Sequence, residues 1–224
     1  MSEQSKLTPL PWSWADARPV PGLLDGLAAE RPVVWLAKAD AGSAGATDLP
    51  RLLSAAERDR WERFRLEADR RRFVAGRAMV RLLAAAHSRQ PPERVPLAYG
   101  PLGKPALAVA GSPVPFHFNL SHSGNCVLLA VHRTREVGVD VEQVRPDQDW
   151  DDVARRFFPA DEYGQWAAST VAERVALFFK LWTRREAGLK ALGVGIGQPD
   201  QAVNNLTYFE LELPAGYAGS VALV

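Results

Sequence analysis

Val137-Gly138-Val139-Asp140-Val141-Glu142 alternates valine with small or acidic residues, and Trp182-Thr-Arg-Arg185-Glu186-Ala-Gly-Leu-Lys190 follows a helical period. In a strand successive side chains point to opposite faces, so Gly138, Asp140 and Glu142 share one face and the three valines the other. In a helix Glu186 and Lys190 stand one turn apart on one side. A strand offering two carboxylates, and a helix offering a third beside a lysine, form a donor set for a divalent cation on a phosphate group. Mg2+ suits it, since that ion keeps part of its water and takes a few carboxylates plus substrate phosphates. For a lone Asp-x-Glu the commoner reading is the solvated face of an edge strand. Gly138 favours a ligand, because a missing side chain one step along the same face lets one approach closely.

Outward from this stretch, strands and helices recur in a fixed order. Residues 33–37 read as an apolar strand, and Ser54-Ala-Ala-Glu57 as a capping-box helix start. A helical pattern runs from Ala68 to about His87. Phe116, Phe118 and Leu120 alternate with polar residues toward a turn at Ser121-His122-Ser123-Gly124, and 127–131 with 137–144 read as an antiparallel pair. Helical patterns return at 151–157, 160–169 and 171–192, with Phe178, Leu181, Leu189 and Leu192 as the buried stripe of the last. Strands close the chain at 205–212 and 217–224. Residues 1–31, rich in Pro and Trp, read as an irregular leader. Glu57 and Trp61 match Glu162 and Trp166, and Phe73, Arg77 and Arg81 match Trp182, Glu186 and Lys190 at nearly the same separation. The repeat predicts two similar α+β halves with pseudo-twofold symmetry, 1–135 and 136–224, with a ligand cleft between them.

Composition narrows the function. The 224 residues are 47% hydrophobic with net charge +1, enough for a real core and without the basic excess of a general nucleic-acid binder. A single cysteine, Cys126, excludes an internal disulfide and a cysteine-based zinc site and fits a reducing cytosol. No apolar run approaches the ~18 residues of a membrane span. Further groups could meet an anion: Lys104 in the turn Gly100-Pro-Leu-Gly-Lys-Pro105, the Asn119-Leu-Ser121-His122-Ser123 segment, and Arg72, Arg77 and Arg81. Each has a plainer reading, as a surface turn, a strand end or a solvated charge run.

These pieces, in this order, resemble the 4'-phosphopantetheinyl transferases of the Sfp type. The resemblance rests on Gly103-Lys104-Pro105, Asn119-Leu-Ser121-His122-Ser123, Gly138-Val-Asp140-Val-Glu142, Phe157-Phe158-Pro-Ala-Asp-Glu162 and Trp182-Thr-Arg-Arg185-Glu186-Ala-Gly-Leu-Lys190, together with the Arg72-Phe-Val-Ala-Gly-Arg77 helix. It covers about residue 50 to the C-terminus. It implies a single-chain, monomeric, cytoplasmic enzyme that moves phosphopantetheine from coenzyme A to a serine of an apo acyl or peptidyl carrier protein, releasing 3',5'-ADP. It further implies Mg2+ on Asp140, Glu142 and Glu186, with Glu186 also as base and Lys190 on the pyrophosphate. Lys104, Ser121, His122 and Arg72 would hold the coenzyme A. Arg185 stands where the family usually has lysine; charge is kept but geometry and proton-donating ability are not. Another Mg2+-dependent phosphate-transfer enzyme, or a non-catalytic module binding a carrier protein or coenzyme A, stay open as alternatives.

Overall fold

A computed structural model describes residues 5–14, 30–39, 46–88, 90–101, 103–108, 116–195, 203 and 205–224. Two strands, β1 (Ser5–Leu7) and β2 (Leu10–Pro11), precede β3 (Val33–Lys38). Helix α1 (Ala55–Glu62) starts at the expected capping box: the Ser54 hydroxyl accepts the Glu57 N–H while the Glu57 carboxylate accepts the Ser54 N–H. Helix α2 (Glu67–Ser88) carries five charged residues among its first six and is buried over most of 73–85. The short pair β4 (Leu97–Tyr99) and β5 (Pro105–Leu107) is followed by the hairpin β6 (His117–Ser123) and β7 (Cys126–His132), then β8 (Val137–Gln143). Helices α3 (Asp151–Phe157), α4 (Ala160–Ala168) and α5 (Val171–Leu192) lead to the hairpin β9 (Thr207–Leu211) and β10 (Tyr217–Leu223). Gly193, in the left-handed region at φ 70°, ends α5.

The fold is α+β, as expected, in four layers. One sheet runs β2-β3-β7-β6 and the other β1-β9-β10-β8. Their inner faces meet: Val34, Cys126, Leu128 and Ala130 pack against Val137, Val139, Val141, Phe209, Val221 and Leu223. Each large side chain buried there contributes roughly 1.5–3 kcal/mol. Helix α2 covers the outer face of the first sheet through Val74, Ala78 and Leu82 against Trp35, Val127 and Leu129. Helix α5 covers the outer face of the second, where Ala187 and Ala191 lie on Ala222. An aromatic cluster of Trp150, Phe158, Trp166, Phe178 and Phe179 fastens α3 and α4 to α5. The order strand, helices, hairpin thus occurs twice along the chain.

Three expectations are corrected. The 127–131 and 137–144 segments do not pair. β7 is flanked on both edges by β3 and β6, so the chain crosses to the other sheet. The crossing is a tight turn in which His132 Nδ1 accepts the N–H groups of Thr134 (3.2 Å) and Arg135 (2.9 Å). The strand before Gly124 runs on to Ser123, which puts Ser121 and His122 on opposite faces instead of in a turn. The leader is not wholly irregular. β1 pairs in parallel with β9 and β2 in parallel with β3, so residues 5–11 bridge two open sheet edges. Residues 1–4 and 15–29 of that leader lie outside the described residues.

Candidate active site

β6 and β8 belong to different sheets, yet they run side by side and are joined through side chains. On one face of β6, Asn119 Oδ1 accepts the N–H of Val139 (3.0 Å), Ser121 Oγ that of Val141 (3.2 Å) and Ser123 Oγ that of Gln143 (3.1 Å). The two hydroxyls donate onward, Ser121 to Asp140 Oδ1 (2.9 Å) and Ser123 to Glu142 Oε2 (2.7 Å). Asp140 is only 3% exposed, so the solvated-edge reading fails for it.

Helix α5 brings the third carboxylate. Its approach depends on Gly138, whose absent side chain serves the helix and not a ligand, a further correction to the sequence reading. A Cβ there would fall 2.9 Å from Ala191 Cα and closer still to the Ala187 carbonyl and the Ala191 amide. Such close backbone contact carries Lys190 onto Asp140: its Nζ donates to Asp140 Oδ1 at 2.6 Å and to Ser121 Oγ at 3.2 Å. Glu186, one turn earlier, lines the same cleft of about 900 Å3 with Asp140, Glu142 and Trp182.

The electrostatics are those of crowded, like-charged acids. Burial pushes the Asp140 carboxyl above the usual range, against the pull of Lys190 and Ser121. Burial raises Glu142, opposed by the Ser123 hydroxyl and reinforced by the Asp140 charge. Glu186 is raised by burial and then by Asp140 and Glu142, with Lys190 opposing. Among the described residues no three His, Cys, Asp or Glu side chains form a cluster disposed to hold a metal ion as they stand. Lys190 sits on Asp140 Oδ1, whereas Asp140 Oδ2 is buried with no hydrogen-bond partner among the described residues.

The remaining predicted residues divide. Arg72 borders the cleft from α2, donating to the Gly124 carbonyl (3.1 Å) and pairing with Asp69. His122 lies nearby; crowding by protein atoms, and then the cations Arg72 and Lys190, hold its pKa below the ordinary imidazole value. Ser121 is within the site but buried, its oxygen engaged by Asp140, Val141 and Lys190. Lys104 lines the far end of the cleft, where Nζ donates to Glu136 Oε2 (2.9 Å) and to the Lys190 carbonyl (3.0 Å) at the end of α5. His117 Nδ1 meets the other oxygen of Glu136 at 2.9 Å. Arg81 is not near the cleft: it is buried in an ion pair with Glu57 and donates to the Pro92 carbonyl. Arg77 lies between the rings of Phe73 and Tyr99. Sequence reasoning missed Glu136, His117 and the bracing roles of Asn119 and Ser123. The signal was present for the last two, as a polar row, Asn119-x-Ser121-x-Ser123, opposite the apolar Phe118 and Leu120.

Comparison with known proteins identifies the family. Residues 136–221 match the model of the 4'-phosphopantetheinyl transferase superfamily, and residues 44–134 that of the 4'-phosphopantetheinyl transferase N-terminal region. The 4'-phosphopantetheinyl transferase HetI of Nostoc sp. is 36% identical over 174 residues, 78% of this chain and 73% of that protein. The chain belongs to the 4'-phosphopantetheinyl transferases. The Thraustochytrium sp. phosphopantetheinyl transferase is 38% identical over 156 residues, 65% of this chain and 54% of that protein. The 4'-phosphopantetheinyl transferase AcpT of Escherichia coli K12 is 37% identical over 125 residues, 55% of this chain and 58% of that protein. These last two matches span only a little over half the relatives' lengths. Membership makes this phosphopantetheinyl transferase homologue a member of a transferase enzyme class and puts its carboxylate cleft at the centre of interest.

Proposed function

We propose that the chain transfers 4'-phosphopantetheine from coenzyme A to a serine hydroxyl of an apo acyl or peptidyl carrier protein, with Mg2+ held by Asp140, Glu142 and Glu186. The observation that carries this reading is that three carboxylates and Lys190 line one cleft, with Asp140 Oδ2 buried and without a donor among the described residues. The cleft's volume of about 900 Å3 suits a ligand the size of coenzyme A. A bare buried carboxylate oxygen beside two further acids of raised pKa is an environment that a cation relieves. Bound there, the cation would neutralise charge on the bridging phosphates of the donor.

The chain's own residues then have definite tasks. The serine oxygen bonds to the β-phosphorus while the bond from that phosphorus to the bridging oxygen breaks, and the electron pair leaves on 3',5'-ADP. Glu186 takes the serine proton. Burial and its acidic neighbours lift its pKa toward working pH, where a general base is most effective. Lys190, already at the carboxylates, steadies the negative charge that gathers on the leaving phosphate. Arg72 and His122 form a phosphate-binding rim, the imidazole being neutral with one N–H to donate. Lys104 Nζ is already engaged by Glu136 and the end of α5, contacts that a phosphate would have to compete with.

The two matched family regions abut near residue 135, which supports halves of 1–135 and 136–224 with the cleft between them. We extend this to a single-chain, Sfp-type enzyme that works as a monomer in the cytoplasm. No helix of the described residues is long and apolar enough to cross a membrane. The test is to incubate the chain with coenzyme A, Mg2+ and several apo carrier proteins and to weigh the carriers. A gain of one phosphopantetheine group is expected; no gain on any carrier overturns the reading.

A further inference from the structure

The hydroxyls of Ser121 and Ser123 have only one arrangement open to them. A backbone N–H can only donate, so each serine oxygen accepts from β8, at Val141 and at Gln143. Each hydroxyl then has a single hydrogen left, and the acceptor within reach is a carboxylate: Asp140 Oδ1 for Ser121 and Glu142 Oε2 for Ser123. Lys190 donates to the same Asp140 oxygen, so both donors converge on Oδ1, and buried Oδ2 has no partner among the described residues. Asn119 makes the first rung of the same ladder, to Val139, but touches neither carboxylate.

We infer that Ser121 and Ser123 are positioning residues: relaying from the β8 backbone to the carboxylates, they turn Asp140 and Glu142 so that oxygens remain free for one shared divalent cation. β6 thereby contributes to a site whose acids all come from β8 and α5. The inference rests on the proposed cation reading, and the three rungs separate bracing from positioning. Asn119 braces only, whereas the serines brace and aim.

The experiment titrates the full chain with Mn2+, with and without saturating coenzyme A, following loss of the free-ion electron paramagnetic resonance signal. Melting of the cation-free protein is recorded in parallel. Ser121→Ala and Ser123→Ala should each weaken Mn2+ binding about ten-fold, the usual effect of removing a partner that orients a metal ligand. Ser121→Thr, which keeps the hydroxyl, should restore it. Asn119→Ala should lower the melting temperature with Mn2+ affinity unchanged. Should Ser121→Ala fail to fold, the more exposed Ser123→Ala decides. Serine variants that melt early but bind Mn2+ like the wild type would reduce both residues to braces and overturn the inference. A wild-type chain that takes up no Mn2+ in either condition would instead remove the cation reading, and this inference with it.

Discussion

Gly138→Ala is the sharpest perturbation this fold offers, because one methyl group tests what holds α5 on β8. The added carbon would lie 2.9 Å from Ala191 Cα and nearer to two backbone atoms of α5, where ordinary contact begins near 3.4 Å. None of the three is the end of a flexible side chain, so relief needs the helix itself to withdraw. Overpacking of this kind costs about 3 kcal/mol, the upper end of its usual range. For a chain of this size that lowers the melting temperature by roughly 6–12 °C. Withdrawal also lengthens the 2.6 Å contact between Lys190 and Asp140 and draws Glu186 away from the other acids. A displacement on the order of 1 Å at reacting groups costs about 100-fold in rate. Melting followed by circular dichroism, and carrier modification followed by mass, read the two effects separately. Gly164→Ala is the control, since a Cβ at this α4 position meets nothing within 4 Å. It should stabilise by up to about 1 kcal/mol through helix propensity alone. If Gly138→Ala melts and turns over like the wild type, the glycine does not set the helix position and the account given for the site is wrong.

Other outcomes follow from single contacts. Lys104→Met should lower stability by about 1 kcal/mol, since a partly exposed charge loses Glu136 and the end of α5. KM for coenzyme A should stay near wild type, and a raised KM at unchanged melting temperature would make Lys104 a phosphate ligand after all. Glu186→Gln should melt above the cation-free wild type at neutral pH. The raised Glu186 pKa means its contribution is favourable below the unfolded pKa and lost as pH rises through the folded one, so the difference should vanish in acid. A constant difference across pH would show that charge is not the cause. Burial holds the His132 pKa below its ordinary 6.5, so stability should fall as pH drops below that value, where the unfolded chain takes up the proton first. His132→Asn, which keeps an acceptor for the turn, should flatten that slope in melting curves taken between neutral and acid pH.

Local features of this chain were legible because their causes are local. The Ser54–Glu57 capping box, the helix over 171–192 and the alternation of 137–142 each show in a few neighbouring residues, and all stand as read. The three acids were singled out for the same reason, since alternation and helical period fix which side chains share a face. Partner choice was less legible. β7 and β8 are both apolar enough to pair with anything, and only the topology shows that β7 has no free edge. Gly138 was misjudged because a gap in a strand looks alike whether a ligand or a helix fills it. The small residues that complete the contact, Ala187 and Ala191, stand one helical turn apart on one face and carry no polarity to draw notice. Arg81 looked like a phosphate ligand for a related reason: Glu57, its partner from another helix, is already engaged in a visible local motif.

The deepest link between fold and site is the way β6 and β8 meet. Backbone pairing would set them ~4.8 Å apart, with carbonyl oxygens accepting the β8 N–H groups. Those carbonyls would satisfy the edge and do nothing more, because a carbonyl has no proton to pass on. Here every rung runs through a side chain, which lengthens it and leaves the two strands unpaired as sheets, their separation forming part of the cleft that α2 and α5 flank. A hydroxyl accepts and donates at once, so the acceptors that satisfy the β8 backbone also hydrogen-bond the acids that β8 displays. Replacing carbonyls by serines at this seam therefore solves two problems together. It keeps buried N–H groups paired, and it turns a sheet edge into a surface whose carboxylates have fixed directions.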